Sequence, residues 1–239
     1  MPWWPIDGVL GYASALSAHS LVFTMIVALI TVVIVRRVLR LVGSGRRPRP
    51  VYRGEQNDKG KFHGRGRLQC ANGDVYEGQF RNGKFHGEGM YRFNDGKSFY
   101  RGSFAHSMFE GQGEEVYGDS GAVYVGQFKG SKRHGRGDMT YTSGASYSGK
   151  WANGLKHGNG TYWYAGNGGK FIGHFEDGAR NGPGEYICKA FRVVGKWTNN
   201  ELDADAIVYA KKGFSLDSLQ EFVGPGKPLP SDIRHPSSK

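Results

Sequence analysis

Four histidines, His63, His86, His134 and His157, recur at one position of a repeating frame, and imidazoles in register are the residues that could assemble a zinc site. Spacing argues against it. If each repeat contributes two strands at roughly 4.8 Å each, equivalent side chains stand about 10 Å apart, whereas ligands to one zinc lie about 2.0 to 2.1 Å from it. The expected role of these histidines is to stabilise turns. Cys70 and Cys188 stand far apart in unrelated local contexts, which gives neither a disulfide framework nor a metal spacing. A reducing compartment is the simpler setting for two such thiols. Glu77, Glu88, Glu176 and Glu185 alternate with apolar residues, the pattern of a solvent-facing strand. The sequence has no Gly-x-Ser-x-Gly elbow, no phosphate loop ending in Lys-Ser or Lys-Thr, and no Cys-x-x-Cys. No catalytic, cofactor-binding or metal-ligating residue is expected, and the chain is not expected to be an enzyme.

The formal charge of +11 over 239 residues would fit a nucleic-acid partner if it were spread along the chain. It is not. Seven arginines (36, 37, 40, 46, 47, 49 and 53) fall together with no acid among them, and residues 54–239 carry only +5. Aromatic and basic residues do interleave, but the rings fall on a strand face that must bury, so no stacking platform beside a basic groove is expected, and no nucleic acid.

The arginines follow an apolar run. Residues 9–35 contain no charge, and 21–35 (LVFTMIVALITVVIV) are apolar apart from two threonines. A spanning helix needs roughly 20 such residues, so a single span is expected near 15–35. Trp3, Trp4 and Tyr12 precede it as interface residues, and Arg36, Arg37 and Arg40 follow it, where their heads can reach phosphates. A cleaved signal peptide would carry its positive charge before the apolar run, the reverse of this order. The excess of arginine after the span places the rest of the chain on the cytosolic side, or in the matrix if the membrane is the mitochondrial inner one. The chain then divides into a short outer terminus (1–14), the span with its basic flank (15–42), a Gly/Pro/Arg linker (43–51), a repeat domain (52–200) and a carboxy-terminal segment (201–239). Arg46, Arg47 and Arg49 of the linker read as a stop-transfer flank and also as a patch for anionic headgroups, at about 1 kcal/mol per contact.

The repeat frame is plain. Tyr52, Tyr76, Tyr100, Tyr124, Tyr147, Phe171 and Val193 open successive units of 22 to 24 residues, each with a glycine two places on. Two further on stands a large ring in every unit but the first, which has Gln56: Phe80, Phe104, Phe128, Trp151, Phe175 and Trp197. In a strand Tyr76, Gly78 and Phe80 share one face, and a glycine between two rings leaves space for a ring of a neighbour. A second glycine pair in each unit, such as Gly87 and Gly89, is expected to close the turn, with 81–87 forming a loop longer than two residues. One hairpin could not bury its rings alone. Stacked hairpins can, which predicts an all-β, elongated antiparallel sheet on the order of 60 Å long for six units.

The pattern Tyr76-x-Gly78-x-Phe80-x-Asn82-Gly83-Lys84-x-His86-Gly87-x-Gly89-x-Tyr91, repeated from Tyr147 to Tyr162, resembles the MORN (membrane occupation and recognition nexus) repeat. The resemblance runs from Tyr52 to about Trp197, six units and a partial seventh. Glu110 and Asn181 replace the usual histidine in the third and sixth units. It implies a structural role that joins membranes to cytoskeleton, to other membranes or to large complexes. Such units also occur beside lipid-kinase or methyltransferase domains, for which the roughly 40 residues after the repeats leave no room.

Those residues contain one helix signal. Ser215 suits an N-cap, Asp217 the first turn and Gly224 a left-handed stop, with Leu216, Leu219, Phe222 and Val223 as the apolar face. The helix is expected to cap the open end of the sheet or to dock a partner, and 225–239 to be extended. Together these features predict a membrane-anchored scaffold or tether, an accessory subunit of a membrane complex with other protein subunits as partners. The alternative is a module that recognises anionic phospholipid.

Overall fold

The computed structural model describes residues 49–166 and 168–235. The expected span, with Trp3, Trp4, Arg36, Arg37, Arg40, Arg46 and Arg47, lies outside the described residues; Arg49 lies within them and is exposed. Among the described residues no helix is long and apolar enough to cross a membrane.

Twelve strands form six hairpins in chain order: β1 (Val51–Gln56) with β2 (Phe62–Gln69), β3 (Val75–Arg81) with β4 (Lys84–Arg92), and β5 (Phe99–Ala105) with β6 (Met108–Tyr117). Then come β7 (Ala122–Lys129) with β8 (Lys132–Thr140), β9 (Ser146–Ala152) with β10 (Leu155–Trp163), and β11 (Lys170–Glu176) with β12 (Ala179–Ile187). The remaining elements are β13 (Phe191–Thr198), β14 (Glu201–Leu202), β15 (Ile207–Ala210), helix α1 (Leu216–Val223) and β16 (Asp232–Arg234). Each strand from β1 to β13 pairs with the next, and β15 and β16 continue the single sheet while β14 pairs β13 at the side. The all-β architecture and the long antiparallel sheet are as the repeat predicts.

The turns are not. Strand β3 ends at Arg81 and β4 begins at Lys84, so the connection is two residues, Asn82 and Gly83, both with positive φ (52° and 83°). This is the tight turn whose twist matches that of the flanking strands. Gly87, placed in a loop by the sequence argument, lies inside β4. There the register steps from Gln79↔His86 to Gly78↔Gly89, so Gly87 and Glu88 are absorbed as a bulge, with Gly87 at φ 57°. The same step recurs in every hairpin, for example between Gly126 and Phe128 of β7, and bends each hairpin in the same sense.

The second glycine of each pair has a different task. The Tyr76 ring lies across Gly78 and Gly89: a Cβ added to either would sit 2.6 or 2.5 Å from its hydroxyl. That hydroxyl donates to the Gln79 carbonyl at 2.8 Å. Tyr76, Tyr100, Tyr124, Tyr147 and Phe171 are buried this way, as are Phe80, Phe104, Phe128, Trp151, Phe175 and Trp197. Each opening ring meets the later ring of its own unit and of the next edge-on. Tyr76 lies 5.0 Å from Phe80 and 4.9 Å from Phe104, a favoured aromatic geometry. The core is thus a continuous file of rings on one face of the sheet.

At the carboxy-terminal end the extended tail contains a short strand, which the sequence did not single out. β16 pairs parallel with β15, Val208↔Ile233 at its centre, and the two continue the sheet beyond β13. Helix α1, capped at Ser215 as the sequence indicates, does not close that edge. It lies on the ringed face, with Phe222 stacked 4.1 Å from Tyr186 and Leu219 fully buried.

Candidate functional site: a column of lids on the ringed face

The file of opening rings is covered by a second layer that the repeat frame did not single out. The residue that follows each turn by one place, Phe62, Phe85, Phe109, Arg133, Lys156 and Arg180 in successive units, lies over the opening ring and is half-buried. In the first three units the lid is a phenylalanine stacked flat: Phe62 on Tyr52 at 3.8 Å, Phe85 on Tyr76 at 3.9 Å and Phe109 on Tyr100 at 3.8 Å. From the fourth unit it is a cation. Arg133 lies 4.6 Å from the Trp151 ring and 5.8 Å from Tyr124. The Lys156 ammonium is 4.8 Å from Tyr162 and 5.4 Å from Phe175, and Arg180 is 5.6 Å from Phe171. A cation over a ring face is held by the ring's quadrupole, by about 0.5 to 2 kcal/mol.

The backbone of each lid is fixed by the turn of the following unit. Gly83, Ser107, Ser131, Gly154, Gly178 and Asn200 donate their amides to the carbonyls of Phe62, Phe85, Phe109, Arg133, Lys156 and Arg180, at 2.8 to 3.0 Å. Ser107 and Ser131 also accept from the amides of Phe85 and Phe109 through their hydroxyls, both at 3.1 Å. The column is therefore a regular set of side chains at a fixed pitch, about 10 Å for two strands.

None of the three cations forms an ion pair among the described residues, and only Arg180 has side-chain hydrogen bonds. Arg180 donates to the Tyr164 hydroxyl at 3.1 Å and to the Asn200 carbonyl at 2.7 Å. Arg133 and Lys156 enter neither an ion pair nor a side-chain hydrogen bond among the described residues. The Glu115 carboxylate, whose charge Arg133 feels, is engaged by the Tyr117 hydroxyl and pushed up from the usual carboxylate range by burial, an effect its Tyr117 hydrogen bond and Arg133 counter. Burial, and then the positive charge of Arg180, hold the Lys156 ammonium below the usual lysine range. The two cations flank an open cavity of about 600 Å³ walled by Tyr117, Met139, Tyr141, Trp151 and Leu155. Half-buried cations over rings that form no ion pair among the described residues can receive carboxylates.

The other sequence-expected residues are dispersed. His63 and His157 are exposed and His86 and His134 half-buried on strands, and none of their side chains hydrogen-bonds to a turn. The turn-stabilising role therefore fails: the turns are held by their own left-handed backbones and by the lid carbonyls. Among the described residues no three metal-ligating side chains converge. Cys70 and Cys188 are free thiols. Glu77 and Glu88 are exposed on the outer face, Glu88 accepting from Ser103 at 2.6 Å, and Glu185 pairs with Arg192 at 2.5 Å.

No curated protein matches the chain. Among solved structures, the TCP domain of SAS-4 (dCPAP) of Drosophila melanogaster, in complex with a proline-rich motif of Ana2 (dSTIL), is 14% identical and covers 70% of this chain and 91% of its own, at a TM-score of 0.40. The TCP10c domain of Drosophila melanogaster Sas-4 is 10% identical over 67% of this chain and 93% of its own, at 0.37. The TCP10 domain of Danio rerio CPAP is 14% identical over 69% and 85%, at 0.31. At such scores these likenesses carry nothing further. The family profile of the MORN repeat, in contrast, matches residues 58–75, 76–98, 100–122, 124–146, 147–168 and 171–189, more than half of the chain and in register with the hairpins; the chain belongs to the MORN-repeat family.

Proposed function

We propose that this protein is a non-enzymatic scaffold, anchored in a membrane by a single span at 15–35, whose repeat sheet holds a partner protein as an accessory subunit of a larger membrane-associated complex. The observation that carries this reading is the lid column: a long, regularly spaced surface with rings at one end and, at the other, cations that form no ion pair among the described residues. Repeats fixed to one another through their turns form a stiff presenting surface, which is what a scaffold requires. The arginines after the span favour a cytosolic repeat domain, or a matrix one if the membrane is mitochondrial.

Affinity purification of the full chain in mild detergent, followed by a native gel and mass spectrometry, tests the proposal. A stable co-purifying protein is expected. A monomer only, or release of the chain into the supernatant by carbonate extraction, removes the subunit role or the anchor respectively.

A second reading, headgroup recognition, draws support from the first hairpin. Arg53 and Arg67 are direct cross-strand partners, a juxtaposition of like charges that costs stability and that Glu77, across from Arg67 on the next strand, offsets on one side only. On this reading anionic lipid relieves the repulsion. Binding to anionic vesicles would be lost on Arg53→Gln with Arg67→Gln and would fall with salt.

A further inference from the structure

We propose that the ringed face is a docking groove for an extended segment of a partner protein that carries two acidic side chains three residues apart, received by Arg133 and Lys156, and an apolar side chain three residues further on, received beside Phe109. This rests on the scaffold reading above and specifies the partner's chemistry.

Three observations converge on it. The first is charge. Arg133 and Lys156 project over rings, lack acidic partners among the described residues and flank the same 600 Å³ cavity. Glu115 offsets the charge of Arg133 only in part, being held by Tyr117, and leaving two half-buried cations without an ion pair costs free energy that carboxylates from outside would recover. Arg180, the third cation of the column, is already engaged by Tyr164 and Asn200, so the acceptor positions are two.

The second is pitch. Adjacent lids stand two strands apart, about 10 Å, and a chain in the extended polyproline II conformation brings every third side chain back to the same face after about 9.3 Å, so every third side chain of such a segment running along the column meets a lid. From Arg133 towards the amino terminus the lids become Phe109, Phe85 and Phe62. The segment's composition must change accordingly, from acidic to apolar.

The third is that the chain already seats a segment on this face. Helix α1 lies against the last units with Phe222 stacked on Tyr186 at 4.1 Å and within 5.7 Å of Phe191. The face therefore accepts an apolar side chain from a crossing element where α1 covers it. Over the third to fifth units it is uncovered by any described element. A lipid surface fits the site poorly: the cations are half-buried between the tyrosine walls, where a protruding side chain reaches and a planar layer of headgroups does not.

The repeats themselves supply the control substitution. Phenylalanine is the lid in three units, so Arg133→Phe with Lys156→Phe preserves the ring packing and removes only the charge. The full chain in detergent micelles is titrated with a fluorescent peptide bearing Asp-x-x-Asp-x-x-Phe in an otherwise uncharged sequence. Parallel arms use its Asn-x-x-Asn-x-x-Phe counterpart and vesicles with and without anionic phospholipid. The expected result is binding of the Asp peptide that weakens at least tenfold in the Asn peptide and in the double Phe variant, with unchanged melting of the variant. Equal binding of the two peptides, or equal binding by the variant, overturns the proposal. So does anionic-vesicle binding that depends on Arg133 and Lys156, which would assign the site to lipid. A partner protein that still co-purifies with the double variant would leave the scaffold reading standing while sinking this one.

Discussion

Replacement of Gly126 by alanine tests the packing on which the column rests. Gly126 has no left-handed backbone to strain, so the cost is steric alone. The new methyl would lie 2.5 Å from the Gly137 Cα, 2.7 Å from the Arg136 carbonyl oxygen and 2.6 Å from the Tyr124 hydroxyl. Carbon atoms pack at about 3.5 to 4.0 Å, so neighbours on β8 must retreat by roughly 1 Å or the Tyr124 ring must leave its seat. Overpacking of this kind costs about 1 to 3 kcal/mol, and disturbing the hydrogen bond from Tyr124 to the Gln127 carbonyl, 3.0 Å long, adds about 1 kcal/mol. The sum, about 2 to 4 kcal/mol, corresponds to a fall in melting temperature of roughly 5 to 15 °C for a domain of this size. Gly130→Ala is the control: its φ is 55° and nothing lies within 4 Å of the added carbon, so it pays only the left-handed conformation, about 1 kcal/mol. Thermal melts by circular dichroism, with hydrogen exchange to localise the change to β7 and β8, decide the matter. A loss in Gly126→Ala no greater than in Gly130→Ala would refute the close approach of ring and glycine pair.

Burial holds the Tyr76, Tyr100 and Tyr147 phenols above their usual range and pushes Tyr124 and Tyr186 up to about 12. Unfolded tyrosines ionise near pH 10. The folded state therefore holds more protons between pH 10 and about 12, its stability is fully present below pH 10 and is lost as pH rises through that window; melts across the pH series that stay level there would contradict this. The Trp151 indole donates to the Gly137 carbonyl at 3.0 Å, whereas the buried Trp197 indole nitrogen has no hydrogen-bond partner among the described residues. Trp151→Phe should then cost about 1 kcal/mol more than Trp197→Phe, measured by denaturant titration of each. Leu219→Ala removes the fully buried anchor of α1 and should cost about 2 to 5 kcal/mol, seen as protease sensitivity confined to residues after the repeats.

The periodic part of the fold was legible because one geometry repeats. Tyr76, Gly78 and Phe80 recur as a unit, and only a strand face with a ring laid over a glycine needs that trio. The turns were misread because a glycine with positive φ serves equally in a loop and in a bulge: Gly87 drew the loop towards itself, although Asn82-Gly83, the stronger signal for a two-residue turn, stood beside it. The lid column was missed for the opposite reason. Its occupants change from phenylalanine to arginine and lysine, so a search for a recurring residue type passes over a recurring position; aligning the units on their turns would have exposed it. β15 and β16 are short, lie outside the repeat, and owe their pairing to a partner strand distant in sequence, as Val208 and Ile233 show.

The orientation of the strands has a mechanical consequence. Because every strand lies across the long axis of the repeat sheet, tension applied between β1 and β16 pulls interstrand hydrogen bonds apart along their length and does not slide strands past one another. Such a load opens one terminal pair at a time, and the rupture must also release the turn amide that grips the neighbouring unit. A stretched chain of this design would lengthen in discrete steps, each paying out one hairpin of slack before the next yields.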